Sequence, residues 1–226
     1  MASETVIRFD KVQFEFGLKT ILEEVSFSVR EGMKMTIMGQ NGAGKSTMFK
    51  LMMGEFKPKY GTISIDKDLH IAISRQIMLP EDKELTVQAF FRKYFADDTV
   101  YNIDARIAEV LDIVNLKAPL DKIIGTFSGG QQARLLLAAA LIQKPDILLL
   151  DEPTNNLDTD GIWHLTAFLI GYEKTLIVIS HDANFLNQFT DGVLYLDAYT
   201  KKVEQYVGDY FDVLEQIKSR IEREQM

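Results

Sequence analysis

No cysteine occurs anywhere in the sequence. That excludes disulfide bridges, cysteine-ligated metal and thiol nucleophiles, and it suits a reducing compartment. Positive charge is also short. Lys and Arg number 25 against 33 Asp and Glu, a formal net charge of −8. A chain with that balance is not built as a general nucleic-acid binder, although net charge says nothing of how basic residues are distributed. Long apolar runs are missing too. The longest, Leu135 to Ile142, falls far short of the ~20 residues of a membrane-spanning helix. The opening Met-Ala-Ser-Glu-Thr-Val has neither a basic nor an apolar stretch, so no secretory leader and a cytoplasmic location are expected. There is no internal repeat and no low-complexity segment. With 226 residues, 46% of them hydrophobic, a single domain over 1–226 with room for a subdomain is expected.

What the chain does have is a phosphate loop. Gly39-Gln40-Asn41-Gly42-Ala43-Gly44-Lys45-Ser46-Thr47 fits G-x-x-x-x-G-K-[ST] without a mismatch. Met33 to Met38 before it predicts a short buried strand, and Thr47 to Met53 after it predicts the start of a helix. That is the context in which the motif carries meaning. The three glycines let the backbone curl round an anion with its N–H groups inward. The helix that follows adds about half a positive charge at its start. Lys45 can reach the β- and γ-phosphates, and the Ser46 hydroxyl can ligate Mg²⁺. All nine residues are candidate nucleotide contacts. The bland alternative, a glycine-rich turn that binds nothing, does not require every position and both flanks to agree.

Val6 to Phe16 and Val25 to Val29 alternate apolar with polar residues and predict half-buried strands of an antiparallel layer. Thr62 to Ile65 and Leu69 to Ile73 predict two more strands, with Ser74 to Asp82 a loop. Thr86 to Phe95 and Ile103 to Val114 read as helices, Gly125 to Gly130 as a loop, and Gln131 to Ile142 as a helix. Ile147 to Leu150 predicts a strand buried on both faces. A helix near Gly161 to Ile170 and a strand at Leu176 to Ile179 follow. This alternation predicts an α/β fold, a parallel sheet with helices on both sides, and the helix-only stretch 77–126 predicts an inserted helical subdomain. Lys202 to Val207 predicts a last strand, and Asp209 a cap for a helix running to Glu224. Its stripe of Tyr210, Leu214, Ile217 and Ile221 is expected to pack on its own domain; the start of a connector is the alternative.

Asp151-Glu152 closes the buried strand, at the strand end where parallel sheets bind ligands. Asp151 can hold the Mg²⁺ shell through water, and Glu152 can polarise an attacking water. Phe127-Ser128-Gly129-Gly130-Gln131-Gln132 presents backbone N–H groups at a helix start; alone, it reads as a capped glycine turn. Phosphate loop, Ser-Gly-Gly-Gln, then strand-Asp-Glu about twenty residues on is the order of motifs in the ATP-binding cassette family. The chain resembles that family over nearly its whole length.

The resemblance implies the P-loop cassette fold, with ATP and Mg²⁺ bound and ATP hydrolysed. It implies that Gln76 ligates Mg²⁺ and senses the γ-phosphate, that His181 contacts the γ-phosphate, and that Asn155-Asn156-Leu157-Asp158 meets an opposing cassette. It implies an aromatic stacked on adenine, Phe16, with Phe14 a competitor for the place. Ser46, Gln76 and Asp151 are then the metal set and Glu152, His181 and Gln76 the catalytic one. Ser128, Gly129, Gly130 and Gln131 would close over the ATP held by a second cassette, in a homodimer or in the other half of a longer protein.

Glu152-Pro153-Thr154-Asn155-Asn156-Leu157-Asp158 is similar to the F subfamily, translation factors that bind ribosomes. Ser180-His181-Asp182-Ala183-Asn184-Phe185-Leu186 and Tyr206-Val207-Gly208-Asp209-Tyr210 also resemble that subfamily. Departures from its common pattern fall at Asn156, Ala183, Asp209 and Phe127. The branch implies a role in translation regulation or antibiotic protection, with 209–226 starting a linker to another cassette and no direct membrane insertion. The alternative is the nucleotide-binding subunit of a transporter. A chromosome-maintenance head lacks its long coiled coil here, and a non-hydrolysing clamp would not keep Glu152.

Overall fold

The structure is a computed structural model and describes residues 4–95 and 102–224. Part of the stretch 77–126 and the first and last residues of the chain therefore lie outside the described residues.

Two sheets share one core. β1 (Thr5–Phe16) lies between β2 (Lys19–Arg30) and β4 (Tyr60–Ile65) in a three-stranded antiparallel sheet. Ile7 and Phe9 on β1 and Val25, Phe27 and Val29 on β2 are buried at period 2, and a register shift after Phe9 brings Val12 into the same core. Its edge at Gly61 (φ +81°) presses against β1, where a Cβ would meet the Lys11 carbonyl oxygen at 2.3 Å.

The larger sheet has β3 (Lys34–Gly39), β5 (Ile71–Ser74), β6 (Ile147–Asp151), β7 (Thr175–Ile179), β8 (Gly192–Leu196) and β9 (Val203–Val207). Their order is β5-β6-β7-β3-β8-β9, parallel except for the antiparallel last pair. β6 and β7 are buried along both faces. Leu148, Leu150, Leu176 and Val178 face one layer; Ile147, Leu149, Ile177 and Ile179 face the other. On the first face lie α4 (Gly129–Ile142), α5 (Thr159–Ile170) and α6 (Ala183–Asn187). On the second lie α1 (Lys45–Met52) and the antiparallel sheet. Every residue from Leu135 to Ile142 is buried, so the longest apolar run is the buried part of α4. Each such Leu or Ile contributes ~1.5–3 kcal/mol.

In the stretch 77–126, α3 (Ile103–Ile113) packs on α4 and α2 (Val87–Arg92) packs on α3, with Phe90, Phe91, Ile107 and Leu111 buried in the same core. α2 is shorter than Thr86 to Phe95: Lys93 and Tyr94 form a turn, and Lys93 pairs with the buried carboxylate of Asp82. The expected loop after Ser74 contains a 3-10 turn at Pro80–Glu84. α4 begins at Gly129, two residues before the sequence expectation. There Ser128 Oγ accepts from Gln131 N–H at 3.2 Å and Gln131 Oε1 from Ser128 N–H at 3.0 Å, a reciprocal cap that carries two glycines into the first turn.

α7 (Tyr210–Glu224) starts where Asp209 Oδ1 accepts from Asp212 N–H at 2.9 Å. It buries Val213 and Ile217 against Val193, so the helix packs on its own domain, with Val213 deeper than the expected Leu214.

Candidate active site

Four parallel strands deliver their carboxyl ends to one rim. β3 ends in the phosphate loop, β5 leads to Gln76, β6 ends in Asp151-Glu152, and β7 leads to His181. Loops leaving that rim are the place where open parallel sheets hold ligands. A cavity of about 420 Å³ lies there, lined by Phe16, Asn41, Gly42, Gly44 to Thr47, Gln76, Asp151, Glu152 and His181. Ile21 and Ile179 complete the wall. Nothing in the sequence marks those two, since an isoleucine on a strand reads as core.

The loop takes its shape from left-handed glycines, Gly42 at φ +77° and Gly44 at φ +109°. A Cβ on Gly44 would also come to 2.5 Å from Ile21 Cγ2. Lys45 is buried and folds back over the loop, its Nζ donating to the carbonyl oxygens of Gly39 at 2.7 Å and Gln40 at 3.2 Å. Burial pushes its pKa down, against the nearby charges of Glu152 and Asp151. Ala43 N–H donates to the Gln40 carbonyl at 3.1 Å, so Gly39, Gln40 and Ala43 brace the loop from behind and do not line the cavity.

Ser46 Oγ donates to Asp151 Oδ2 at 3.0 Å. Burial raises the Asp151 pKa, opposed by that bond and by Lys45. A hydroxyl and a carboxylate side by side are hard oxygen donors at the phosphate end of the cavity. They fit Mg²⁺, which takes one or two protein ligands and completes its shell with phosphate and water. Among the described residues no group of three His, Asp or Glu forms an all-protein metal cage.

Glu152 stands at φ +49°, a conformation rare outside glycine and asparagine. Its N–H donates to the Ile179 carbonyl at 2.8 Å, which ties it to β7. Its carboxylate receives the His181 main-chain N–H at 3.3 Å on Oε2, and His181 Nε2 lies 3.1 Å from Oε1. Burial raises the Glu152 pKa; His181 opposes the shift and Asp151 adds to it. A carboxylate so placed, with its basicity raised, suits proton abstraction from water.

Phe16, 49% exposed at the end of β1, stands edge-on to Phe14 and Phe56, with centroids 5.0 and 5.3 Å away. Phe14 is buried and stacked on Phe56 at 5.2 Å. Of the two aromatics, Phe16 has a face to offer a flat base. Ser128 to Gln131 line no part of the cavity, and Ser128 and Gly129 are exposed.

A family profile described as "ABC transporter" matches residues 22–155. The chain belongs to the ATP-binding cassette family. Cassettes of this family are ATPases. Relatives include a probable ATP-binding protein, YheS, of Escherichia coli, 35% identical over 92% of this chain and 32% of its own length. The ATP-binding protein Uup of Haemophilus influenzae is 32% identical over 95% of the chain and 33% of its length. The cassette thus spans about a third of these relatives. Among solved structures, an ATP-binding subunit of an ABC transporter superposes with a TM-score of 0.80 at 22% identity, over 95% of this chain and 94% of that one, a likeness of fold. No described helix of the cassette is long and apolar enough to cross a membrane.

Proposed function

We propose that this cassette binds ATP with Mg²⁺ in the cavity around Lys45 and hydrolyses it with Glu152 as general base. A second cassette closes over the site, and the closure gates a factor of the F subfamily on the ribosome. The observation that carries the reading is the split of the nucleotide motifs. Phe16, the phosphate loop, Gln76, Asp151, Glu152 and His181 surround one cavity, while Ser128 to Gln131 lie outside it, Ser128 and Gly129 exposed and Gly130 and Gln131 half-buried. A segment with helix-start N–H groups and no nucleotide of its own to meet fits the nucleotide of another cassette.

In this reading the adenine stacks on Phe16, Lys45 leaves the Gly39 and Gln40 carbonyls for the β- and γ-phosphates, and the loop N–H groups hold the β-phosphate. Ser46 and Asp151 hold Mg²⁺, with Gln76 beside them, and the ion neutralises phosphate charge. Water oxygen bonds to the γ-phosphorus as the bond to the ADP oxygen breaks, and the water proton passes to Glu152. His181 holds that carboxylate towards the γ-phosphate. A positioned base contributes ~10²–10⁴-fold to such a step. Closure follows from stronger binding of the closed state to ATP than to ADP.

The ribosome as partner is favoured by Pro153 to Asp158 and by relatives called ATP-binding proteins that run to about three times this length. The transporter reading is favoured by the fold likeness at TM-score 0.80. Co-sedimentation of the full-length Glu152→Gln protein with ribosomes in ATP separates them. Recovery in the ribosomal pellet only with ATP is expected; absence from it, with co-purification of a membrane subunit, supports the transporter.

A further inference from the structure

A ring of hydrogen bonds joins the Ser-Gly-Gly-Gln helix to the loop behind Glu152. Arg134, on α4 one turn past Gln131, donates through Nε to the Asn156 carbonyl at 2.7 Å and through Nη1 to the Asn115 carbonyl at 3.1 Å. Asn115 Nδ2 donates in turn to both oxygens of Asp158, at 3.2 and 3.1 Å. Asp158 Oδ1 accepts from Gly161 N–H at 2.9 Å and so caps α5. Asn156 and Asp158 belong to one short loop, so the circuit runs Arg134, Asn156, Asp158, Asn115 and back to Arg134. It ties α3, α4 and α5 together at one point.

Two details say that the ring holds a geometry and is not a chance surface contact. Asn115 stands at φ +49°, where asparagine is tolerated and most residues are strained. The planar fork of arginine reaches two carbonyls on two different elements at once, which a lysine cannot match. The loop so held begins at Glu152: Asn155 N–H donates to the Glu152 carbonyl at 3.3 Å. A second cavity of about 190 Å³ is lined by Arg134, Asn155 and Asn156 together with Gln76, Asp151 and Glu152. The ring and the reacting groups thus border the same small space.

We propose that Arg134 is a positioning residue for ATP hydrolysis. By clamping loop 153–158 to α4 it makes the Glu152 carboxylate and the Ser-Gly-Gly-Gln segment move as one body. Arg134 does not line the cavity around Lys45, so it acts through the loop. Displacing a base by ~1 Å can cost about 10²-fold in rate. This inference rests on the reading of Glu152 as the base.

The test is a double-mutant cycle in the full-length protein with Arg134→Ala and Asn115→Gly, the glycine keeping the left-handed backbone. Steady-state hydrolysis, ATP-binding stoichiometry and thermal unfolding are measured, with Glu152→Gln alongside. Each single variant is expected to lose about 10-fold or more in kcat, with KM for ATP within about twofold and full binding stoichiometry. The double variant is expected to be no slower than either single one, because one break opens the ring. Singles within twofold of the parent kcat, a double equal to the product of the singles, or a kcat loss matched by lost stoichiometry would each overturn the clamp. If Glu152→Gln itself hydrolyses at the parent rate, it is the assignment of the base that fails.

Discussion

His181 approaches Glu152 twice: its ring Nε2 lies 3.1 Å from one carboxylate oxygen while its own main-chain N–H donates to the other at 3.3 Å. Removing the ring leaves the main-chain bond in place. His181→Ala is therefore expected to keep ATP affinity and lower kcat by about 10²-fold, towards the loss expected for removing the base itself. Burial already raises the Glu152 pKa above its ordinary 4.5 and His181 opposes that shift, so the acid limb of the kcat profile is expected at higher pH in the variant. A limb that stays put while kcat falls would detach His181 from the carboxylate. pH–rate profiles under saturating ATP decide it.

Lys45 is the main phosphate charge, and in the structure it is spent on two carbonyls of its own loop. Charge-assisted hydrogen bonds are worth ~1.5–3 kcal/mol each. Lys45→Ala is expected to weaken ATP binding by at least about 100-fold, since ~1.4 kcal/mol is a factor of ten. Its burial lowers its pKa, so the charge costs the nucleotide-free fold stability, a loss that grows as pH falls from the ordinary 10.5 to the folded pKa and is constant below it. The variant should then unfold no lower than the parent without nucleotide, yet gain nothing when ATP is added. Calorimetric titration and thermal shift read the two effects.

Phe16→Ala is expected to weaken ATP by ~1–3 kcal/mol, the worth of a base on an aromatic ring. Inorganic tripolyphosphate, which has no base, should bind parent and variant alike. Phe14→Ala strikes the buried ring instead, and should cost ~3–5 kcal/mol of stability. If both variants lose ATP affinity equally, the stacking surface is not Phe16.

Asp151 carries a pKa raised by burial above its ordinary 3.8. For a carboxylate raised in the fold, stability is greatest while the group is protonated and declines as pH climbs through the folded pKa. At neutral pH the nucleotide-free fold therefore bears the cost of the charge. Asp151→Asn keeps an acceptor for Ser46 and removes the charge, so Tm without nucleotide is expected to rise, by roughly 2–4 °C for each kcal/mol recovered in a domain of this size. The gain should vanish below the ordinary carboxylate range. Mg²⁺-dependent ATP binding should fall in the same variant, as titration with and without the ion will report.

The features legible in the sequence are those whose physics is local. The phosphate loop is nine consecutive residues, and the strand before it and the helix after it are set by neighbours. β6 announced itself as an apolar run ended by two carboxylates. Phe14 and Phe16 could not be separated by sequence, because both lie on the same period of β1. The register decides: β1 bulges between Phe14 and Glu15, and the end of the strand carries Phe16 free of the core. α6 and β8, five residues each, carry no periodic or motif signal that marks them in the sequence. The Arg134 ring was invisible for another reason. Its bonds join residues 19, 22 and 43 positions apart, a proximity made by tertiary packing alone.

The position of β3 has a consequence for how the protein comes into being. The strand that carries the phosphate loop is flanked by β7 and β8, which end at Ile179 and Leu196. While the chain is being made, both edges of this strand stay unpaired until Leu176, the partner of Lys34, and then Gly192, the partner of Met35, have followed. Pairing at such separation is slow and leaves exposed strand edges in the meantime. The half-made chain can carry the whole phosphate motif and still have no framework to hold it open for a nucleotide. Glu152, Ile179 and His181 complete the wall of the cavity, so a chain that stops before them has the motif without its pocket.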